Sequence, residues 1–193
     1  MKIETNNKNI EIRSVDFEDV TNRFNLVVEN IPHLEPWLEW VDFYKDESAV
    51  TIFTRFCLEE VKLNKKHTFM IYYDNKFAGG IDIQKIDNED RPIEIGYWLG
   101  KEFTGKGIMK DCVLSVTKFI FENYSRDEIL IKAEVDNDPS KKVALNSGYE
   151  YKKTLYDAHK KREVLCDLDV FEMTRERFNS INEDKINKNK TSK

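Results

Sequence analysis

Apolar residues recur along this chain at two spacings, and each spacing predicts one kind of element. Alternation with polar residues predicts strands, whereas repeats of three and four predict helices that begin near Asp16, near Ser48, after Gly107 and at Asp138. With the short aromatic segment 33–40 as a further helical stretch, the order is β-α-α-α-β-β-β-α-β-α-β-β. This order predicts an α/β protein with one mixed sheet and helices on both faces. The predicted strands span 10–14, 68–73, 77–86, 93–99, 129–135, 149–155 and 164–173.

A cluster of glycines marks the connection between the strand 93–99 and the helix after it. Three of the seven glycines, Gly100, Gly105 and Gly107, lie within eight residues. Glycine lets successive backbone N–H groups point inward, and a helix N-terminus behind them adds partial positive charge. The connection is therefore a candidate seat for a phosphate or pyrophosphate, with an ordinary strand–helix turn as the alternative. Neither Gly-Lys-Ser/Thr nor Gly-x-Gly-x-x-Gly is present, which excludes the P-loop and the dinucleotide-binding motif.

Length and composition predict one domain, residues 1–178, followed by a polar Asn/Lys-rich tail, residues 179–193, outside the core. Hydrophobic residues make up 40% of the 193 residues, which is enough for a substantial core. The net charge of −5 argues against broad nucleic-acid binding, because that requires a basic face. The sequence has no run of about 18 apolar residues, so no membrane helix is predicted. The first residues lack the apolar core of a signal peptide.

The cysteines favour a cytoplasmic protein. Cys57, Cys112 and Cys166 are odd in number, far apart and flanked by apolar residues. This pattern predicts small buried side chains in a reducing compartment. No spacing of Cys and His resembles a metal site, so we expect no metal.

A second motif follows the strand 129–135. Asn137 ends that strand, Ser140 lies in the first turn of the next helix, and Gly148-Tyr149 leaves the helix. Together with the glycine loop, this arrangement resembles the GNAT superfamily of acetyl-CoA-dependent N-acetyltransferases, and the resemblance runs from about residue 10 to residue 174. Two stretches are similar to its Rim-type branch, whose members acetylate the N-terminal amine of ribosomal proteins. These are Glu-Ile-Gly-Tyr-Trp-Leu with the later Gly-Lys-Gly-Ile-Met, and His33-Leu-Glu-Pro-Trp-Leu-Glu-Trp40.

The resemblance implies a GNAT fold, in which a mostly antiparallel sheet contains one splayed pair of parallel strands, here 93–99 and 129–136. The pantetheine arm of acetyl-CoA would lie in that splay, where backbone groups need partners. Lys106 would add positive charge for the pyrophosphate, and its alternative is to be a solvated surface residue. Asn137 would bond the pantetheine arm, and its alternative is to cap the following helix. The residues implied in cofactor binding are Trp98, Leu99, Phe103, Thr104, Gly105, Lys106, Gly107, Ile108, Met109, Asn137 and Ser140.

The resemblance also assigns catalytic roles. A backbone N–H near Tyr97 or Trp98 would stabilise the tetrahedral oxyanion. Ser140 would stabilise or protonate the leaving thiolate, with capping of its helix as the alternative. The carboxylate that the family places after its sixth strand aligns with His159. An imidazole suits proton removal near neutral pH, although a histidine in the charged hairpin turn predicted at 157–163 is otherwise a surface residue.

Three positions depart from the family pattern. Thr104 stands where the family usually has Gln or Arg, and Met109 where the broad superfamily favours a small residue. Neither change removes a loop glycine, so we expect both to leave cofactor binding intact. Because His159 stands in place of the family's carboxylate, the identity of the general base stays open. Glu94 is the rival candidate, and its alternative role is an ion pair.

The resemblance to the Rim-type branch implies the acceptor, and aromatic residues predict where it binds. Trp37, Trp40 and Tyr97 are expected to line its groove, with core packing as the alternative. The best acceptor is the α-amine of a protein N-terminus, possessing a pKa of about 7.7–8 and needing orientation more than a strong base. The alternatives are a small amine, such as an antibiotic, polyamine or metabolite, and a CoA-binding module without turnover. The resemblance further implies a homodimer.

Overall fold

The computed structural model describes the backbone of residues 1–191 and the side chains of residues 1–183. The strands are β1 (Lys2–Ile3), β2 (Ile10–Ser14), β3 (Lys66–Tyr73), β4 (Lys76–Gln84), β5 (Ile93–Leu99), β6 (Glu128–Glu134), β7 (Glu150–Lys161) and β8 (Val164–Thr174). They form one sheet in the order β1-β2-β3-β4-β5-β6-β8-β7. Neighbouring strands are antiparallel except for β5 and β6, which are parallel.

Helices cover both faces of this sheet, which confirms the predicted mixed α/β class. The helices are α1 (Val20–Glu29), α2 (Ile31–Leu34), α3 (Glu47–Lys62), α4 (Ile108–Asn123), α5 (Asp138–Asn146) and α6 (Arg175–Thr191). Helices α1 and α3 pack on one face, called the α1 face, and α4 and α5 on the other, called the α4 face. Over the described residues, no helix combines the length and the apolar character that crossing a membrane requires.

The core lies mainly between the sheet and α4. Alternate residues of the central strands face α4 and are almost fully buried, as period-two alternation predicts. The apolar stripe predicted for the helix after Gly107 packs against them, and Phe119 is its one half-buried member. The buried isoleucines of these strands are Ile81, Ile83, Ile93, Ile95, Ile129 and Ile131.

The β3–β4 hairpin is confirmed, although its turn has no glycine. Asp74 and Asn75 form a two-residue loop with φ angles of 48° and 63°. This left-handed conformation suits a two-residue hairpin loop, and Asp and Asn tolerate it better than most residues.

Two predicted boundaries are wrong. Asp46, rather than Ser48, caps α3, because its carboxylate accepts hydrogen bonds from the N–H groups of Ser48 and Ala49. The stretch 157–163 is mostly strand, since β7 continues to Lys161 and only the two residues before β8 form the turn. The ends of this hairpin therefore reach farther than the sequence predicts.

Helix α6 crosses the predicted domain boundary at residue 178. Phe178 packs against Phe121 with ring centroids 5.2 Å apart, and Ile181 packs against the core. The first residues of the predicted tail thus continue an element that contacts the domain. The division into domain and tail stays a prediction, and its last two residues, 192–193, lie outside those described.

Candidate active site

The parallel strands β5 and β6 pair over only three positions. The ladder joins Ile93 to Ile129 and ends where Ile95 meets Ile131. Beyond that point β5 continues against β4, and β6 continues against β8, so the facing edges of the two strands separate. We call this gap the cleft. Backbone groups along its edges have no ladder partner, and such groups require one from elsewhere when they are buried.

A loop rich in free N–H donors leads from β5 to α4. Gly105 and Gly107 have φ angles of 73° and 77°, and a Cβ on either would meet nothing within 4 Å. Among the described residues, no protein acceptor takes a hydrogen bond from the backbone N–H groups of residues 105–110. Helix α4 begins at Ile108 and adds its N-terminal partial charge. This arrangement fits the pyrophosphate of coenzyme A.

A buried asparagine that the sequence analysis missed fixes the start of this loop. Asn30 donates from Nδ2 to the carbonyl of Leu26 at 2.9 Å, and its Oδ1 accepts from the N–H of Lys101 at 2.7 Å. The N–H of Gly100 donates to the carbonyl of Ala78 at 2.9 Å. The loop is therefore anchored to both α1 and β4. The only sequence signal was a polar residue directly after the apolar stripe of a helix.

The departures at the loop have local roles. Thr104 donates from its hydroxyl to the carbonyl of Lys101 at 2.7 Å and so closes the turn before the glycines. Met109 is buried against the core. Lys106 is exposed, and its ammonium lies 5.8 Å from the ring centroid of the buried Phe103.

Ser140 and Tyr97 meet across the cleft on the α4 face. The Ser140 hydroxyl donates to the Tyr97 hydroxyl at 3.2 Å, and the latter donates to the Ser140 carbonyl at 3.0 Å. Asn137 accepts from the Ser140 N–H at 3.2 Å and thus caps α5. Burial raises the pKa of Tyr97 to about 12, so the phenol stays protonated in the physiological range. The capping role of Asn137 is present, and its Nδ2 makes no bond to a described residue.

The three residues predicted for the acceptor groove lie in different places. Tyr97 faces α5, whereas the next residue, Trp98, points to the α1 face and lies 5.4 Å from Trp40 between ring centroids. Trp37 lies under the β7–β8 hairpin, where the ammonium of Lys161 is 5.5 Å from its ring centroid. The α1 face therefore collects Trp40 and Trp98, and Tyr97 belongs with Ser140.

The tip of the β7–β8 hairpin binds the aromatic segment. Arg162 makes two bonds to the Asp42 carboxylate, at 2.7 and 2.9 Å, and donates to the carbonyl of Glu35 at 2.7 Å. Its hydrogen bonds lower the pKa of Asp42. Lys161 bonds Glu134 at the end of β6 and the carbonyl of Pro36 at 2.5 Å. These contacts tie the segment to the far strand of the cleft.

The two candidate bases have unlike surroundings. His159 lies on β7 opposite Cys166 and is half-buried, and its imidazole makes no hydrogen bond to a described residue. Glu94 lies below the splay and contacts Lys85 at 2.5 Å and Lys132 at 2.7 Å. Burial alone would raise the pKa of Glu94, but the hydrogen bonds from both lysines outweigh it and lower the pKa. A carboxylate held in this way is a weak base.

The remaining predicted residues also have definite places. Leu99 ends β5 in the core. Cys57 and Cys112 are buried, while Cys166 is partly exposed. Within residues 1–183, no three His, Cys, Asp or Glu side chains cluster in a way that would hold a metal ion.

A cleft between splayed parallel strands, with an N–H-rich loop and a helix N-terminus beside it, suits a pantetheine arm that ends in a pyrophosphate. These features define an acyltransferase that takes its acyl group from a coenzyme A thioester. The chain belongs to the acetyltransferase (GNAT) domain family, whose model matches residues 9–150. Acetyl-CoA is the donor that this family uses.

Similar proteins agree with this assignment. The chain is 29% identical over 145 residues to YdaF of Bacillus subtilis (strain 168), provisionally named a ribosomal N-acetyltransferase. The aligned region covers 74% of this chain and 79% of YdaF. The chain is 25% identical over 168 residues to the ribosomal-protein-serine acetyltransferase of Escherichia coli (strain K12), covering 85% and 92%. The structure of RimL, a ribosomal L7/L12 α-N-protein acetyltransferase with coenzyme A, superposes with a TM-score of 0.84 at 21% identity, covering 90% and 98%.

Proposed function

We propose that this acetyltransferase modifies the free α-amine at the N-terminus of a protein, and that ribosomal proteins are its acceptors. The observation that carries the proposal is the state of the carboxylates on the two strands of the cleft. Each is ion-paired with lysine. The pairs are Glu94 with Lys85 and Lys132, Glu128 with Lys152, and Glu134 with Lys161.

Such a site suits an amine that needs little help to lose its proton. About a tenth of a free α-amine is already neutral at pH 7, whereas only about four in ten thousand lysine side chains are. A lysine acceptor would need a strong base beside the thioester, and the ion-paired carboxylates are poorly suited to that role. An N-terminal amine needs orientation and a path for its proton, which His159 supplies in this proposal.

The other roles follow from the geometry of the cleft. The amine attacks the thioester carbonyl, and a backbone N–H near Trp98 stabilises the oxyanion. Ser140 stands at the mouth of the cleft with its hydroxyl bonded to Tyr97. This pair of hydroxyls stabilises the leaving thiolate and passes it a proton. Residues 103–109 hold the pyrophosphate, and Asn137 bonds the pantetheine arm through its free amide N–H.

The names of the relatives support the acceptor class. The two relatives compared above have names that refer to ribosomal acetylation, and RimL is named an α-N-protein acetyltransferase. An acceptor of this class is made in the cytoplasm, so we place the reaction there. The homodimer that the resemblance implies stays a prediction.

The test compares three acceptors with acetyl-CoA, by thiol release and mass spectrometry. The first is a lysine-free peptide with a free N-terminus, the second its N-terminally blocked counterpart with one internal lysine, and the third a panel of antibiotics and polyamines. A ribosomal-protein extract supplies natural acceptors. We expect label on N-terminal amines, with a rate that rises with pH as the α-amine deprotonates. Equal rates on the blocked peptide, or label on small amines alone, would refute the proposal.

A further inference from the structure

A small cavity lies on the α1 face beside Trp98. Its volume is about 60 Å³, several times what one water molecule needs and far below the 300–1,000 Å³ of an ordinary ligand pocket. It has room for the head of one side chain. The residues around it come from α1, the aromatic segment, α3 and the strands β3 to β5. They are Arg23, Trp40, Phe53, Lys66, Thr68, Met70, Gly80, Asp82 and Trp98.

The guanidinium of Arg23 is buried here without a counter-ion. Arg23 is 2% exposed, and its Nε and Nη1 have no hydrogen-bond partner among the described residues. Four aromatic rings surround it, the nearest being Phe53 with its centroid 4.1 Å from the guanidinium carbon. Rings attract the charge through their faces, but they accept N–H groups only weakly, so they do not replace oxygen acceptors for a guanidinium. The other rings are Trp40, Tyr44 and Trp98.

The remaining polar groups of the cavity also point to a missing anion. Asp82 is engaged by Lys66 at 2.8 Å, so the lining keeps one uncompensated positive charge. The Thr68 hydroxyl lines the cavity and is buried without a partner. Buried charges are normally paired, because an unpaired one costs several kcal/mol. Water would satisfy an N–H group but would not balance the charge.

We propose that the Arg23 cavity binds the carboxylate of an acidic side chain close to the N-terminus of the acceptor, an inference that rests on the proposed function. The position of Trp98 links the two sites, because its backbone borders the cleft while its indole forms the cavity wall. An acceptor whose amine reaches the thioester therefore passes beside this cavity. The carboxylate takes the in-plane donors of Arg23 and the hydroxyl of Thr68, and it neutralises the lining.

Binding is tested without turnover. Two of the three tryptophans, Trp40 and Trp98, line the cavity, so their fluorescence reports on its contents. The probe is N-acetyl-aspartate methylamide, which offers one carboxylate and no amine, and the matched control is N-acetyl-asparagine methylamide. We expect a saturable change with the acidic probe, at least a tenfold weaker one with the amide, and no saturation for Arg23→Met. A wild-type protein that responds to neither probe overturns the proposal.

Stability separates this role from a structural one. Without a carboxylate, Arg23→Met removes an unpaired buried charge and should melt no lower than the wild type. The acidic probe should raise the melting temperature of the wild type and leave that of the variant unchanged. Arg23 would be structural if the variant melts far below the wild type and the probe does not stabilise the wild type. Arg23→Lys keeps the charge without the planar fork and should bind about tenfold more weakly than the wild type.

Turnover measurements distinguish failure of the Arg23 cavity assignment from failure of the proposed function. Peptides beginning Ser-Asp and Ser-Asn are compared, and we expect kcat/KM to favour the acidic peptide about tenfold in the wild type and not in Arg23→Met. Acetylation of both at equal rates keeps the function and overturns the cavity assignment. Saturable binding of the acidic probe, with no acetylation of any α-amine, keeps the cavity and overturns the acceptor. Tighter binding of free aspartate than of the probe would assign the carboxylate to a small molecule and overturn the peptide assignment.

Discussion

The backbone of Gly107 provides the sharpest test of the phosphate seat. Its φ of 77° lies in the left-handed region, and α4 begins at the next residue. A Cβ at this position would meet nothing within 4 Å. Gly107→Ala therefore changes the conformational preference of the backbone without a clash inside the protein.

The size of the effect follows from that conformation. A left-handed conformation costs an L-residue roughly 1–2 kcal/mol. If the loop relaxes when no ligand is bound, the whole cost appears as a loss of CoA affinity of about 5- to 30-fold. If the fold holds the loop, the cost appears in the free energy of unfolding. The two losses together should amount to about 1–2 kcal/mol. Gly107→Val should lose more, because a β-branched residue is a genuine outlier in this region.

Calorimetry with CoA and denaturant unfolding measure the two parts on the same samples. Gly107→Asn is the matched control, because asparagine tolerates the left-handed region and should lose less than alanine. The reasoning fails if Gly107→Val binds CoA as the wild type does, since its side chain would fill the open side of the loop where the phosphates are placed.

Four further predictions test the rest of the site and the fold. Glu94→Gln leaves two lysines unpaired and should lower stability at pH 7. Since the folded pKa of Glu94 lies below its unfolded value, the difference from wild type should begin to shrink as pH falls below about 4 and should vanish only below the folded pKa; a difference independent of pH would count against the ion pairs. Gly79→Ala places a Cβ 2.2 Å from the Trp98 carbonyl oxygen and should cost several kcal/mol in urea unfolding, whereas Gly105→Ala, which meets no atom, should cost about 1–2 kcal/mol; equal losses would contradict the packing argument. Tyr97→Phe removes the hydroxyl that bonds Ser140 and should lower the unfolding free energy by about 1 kcal/mol; unchanged stability would mean that this contact contributes nothing. His159→Ala should lower kcat about a hundredfold with little change in acetyl-CoA affinity, and an unchanged rate would move proton removal to water.

Local signals explain how much of the fold was predictable. The strand 93–99 has the observed bounds, because its apolar alternation runs directly into the glycine-marked turn. The helix start near Ser48 is two residues late, because Asp46 and Ser48 are both good caps and only the folded chain shows which carboxylate or hydroxyl accepts the N–H groups. The loop glycines and the Asn137–Ser140 turn were recognisable, because each is local and each has a demanding backbone conformation.

The parts that sequence reasoning missed depend on residues far apart in the chain. Lys161 meets the carbonyl of Pro36 across 125 positions, and no periodicity predicts such a contact. Arg23 did carry a weak signal, because it lies in the apolar stripe of α1, three residues after Val20 and four before Val27. A polar residue in such a stripe is either paired in the core or facing a site, and only the structure shows that it is buried unpaired.

The contacts of the hairpin tip have a topological consequence. From Trp98 on one strand, the chain of contacts passes through Trp40 and its segment to Pro36, then through Lys161 to Glu134 on the other strand. The separated strands and this chain of contacts together form a closed ring. A polypeptide can enter a closed ring by its free end but not by its middle. Under the proposed function, we expect this closed ring to admit the free end of a polypeptide to the thioester and to exclude a lysine in the middle of a folded loop.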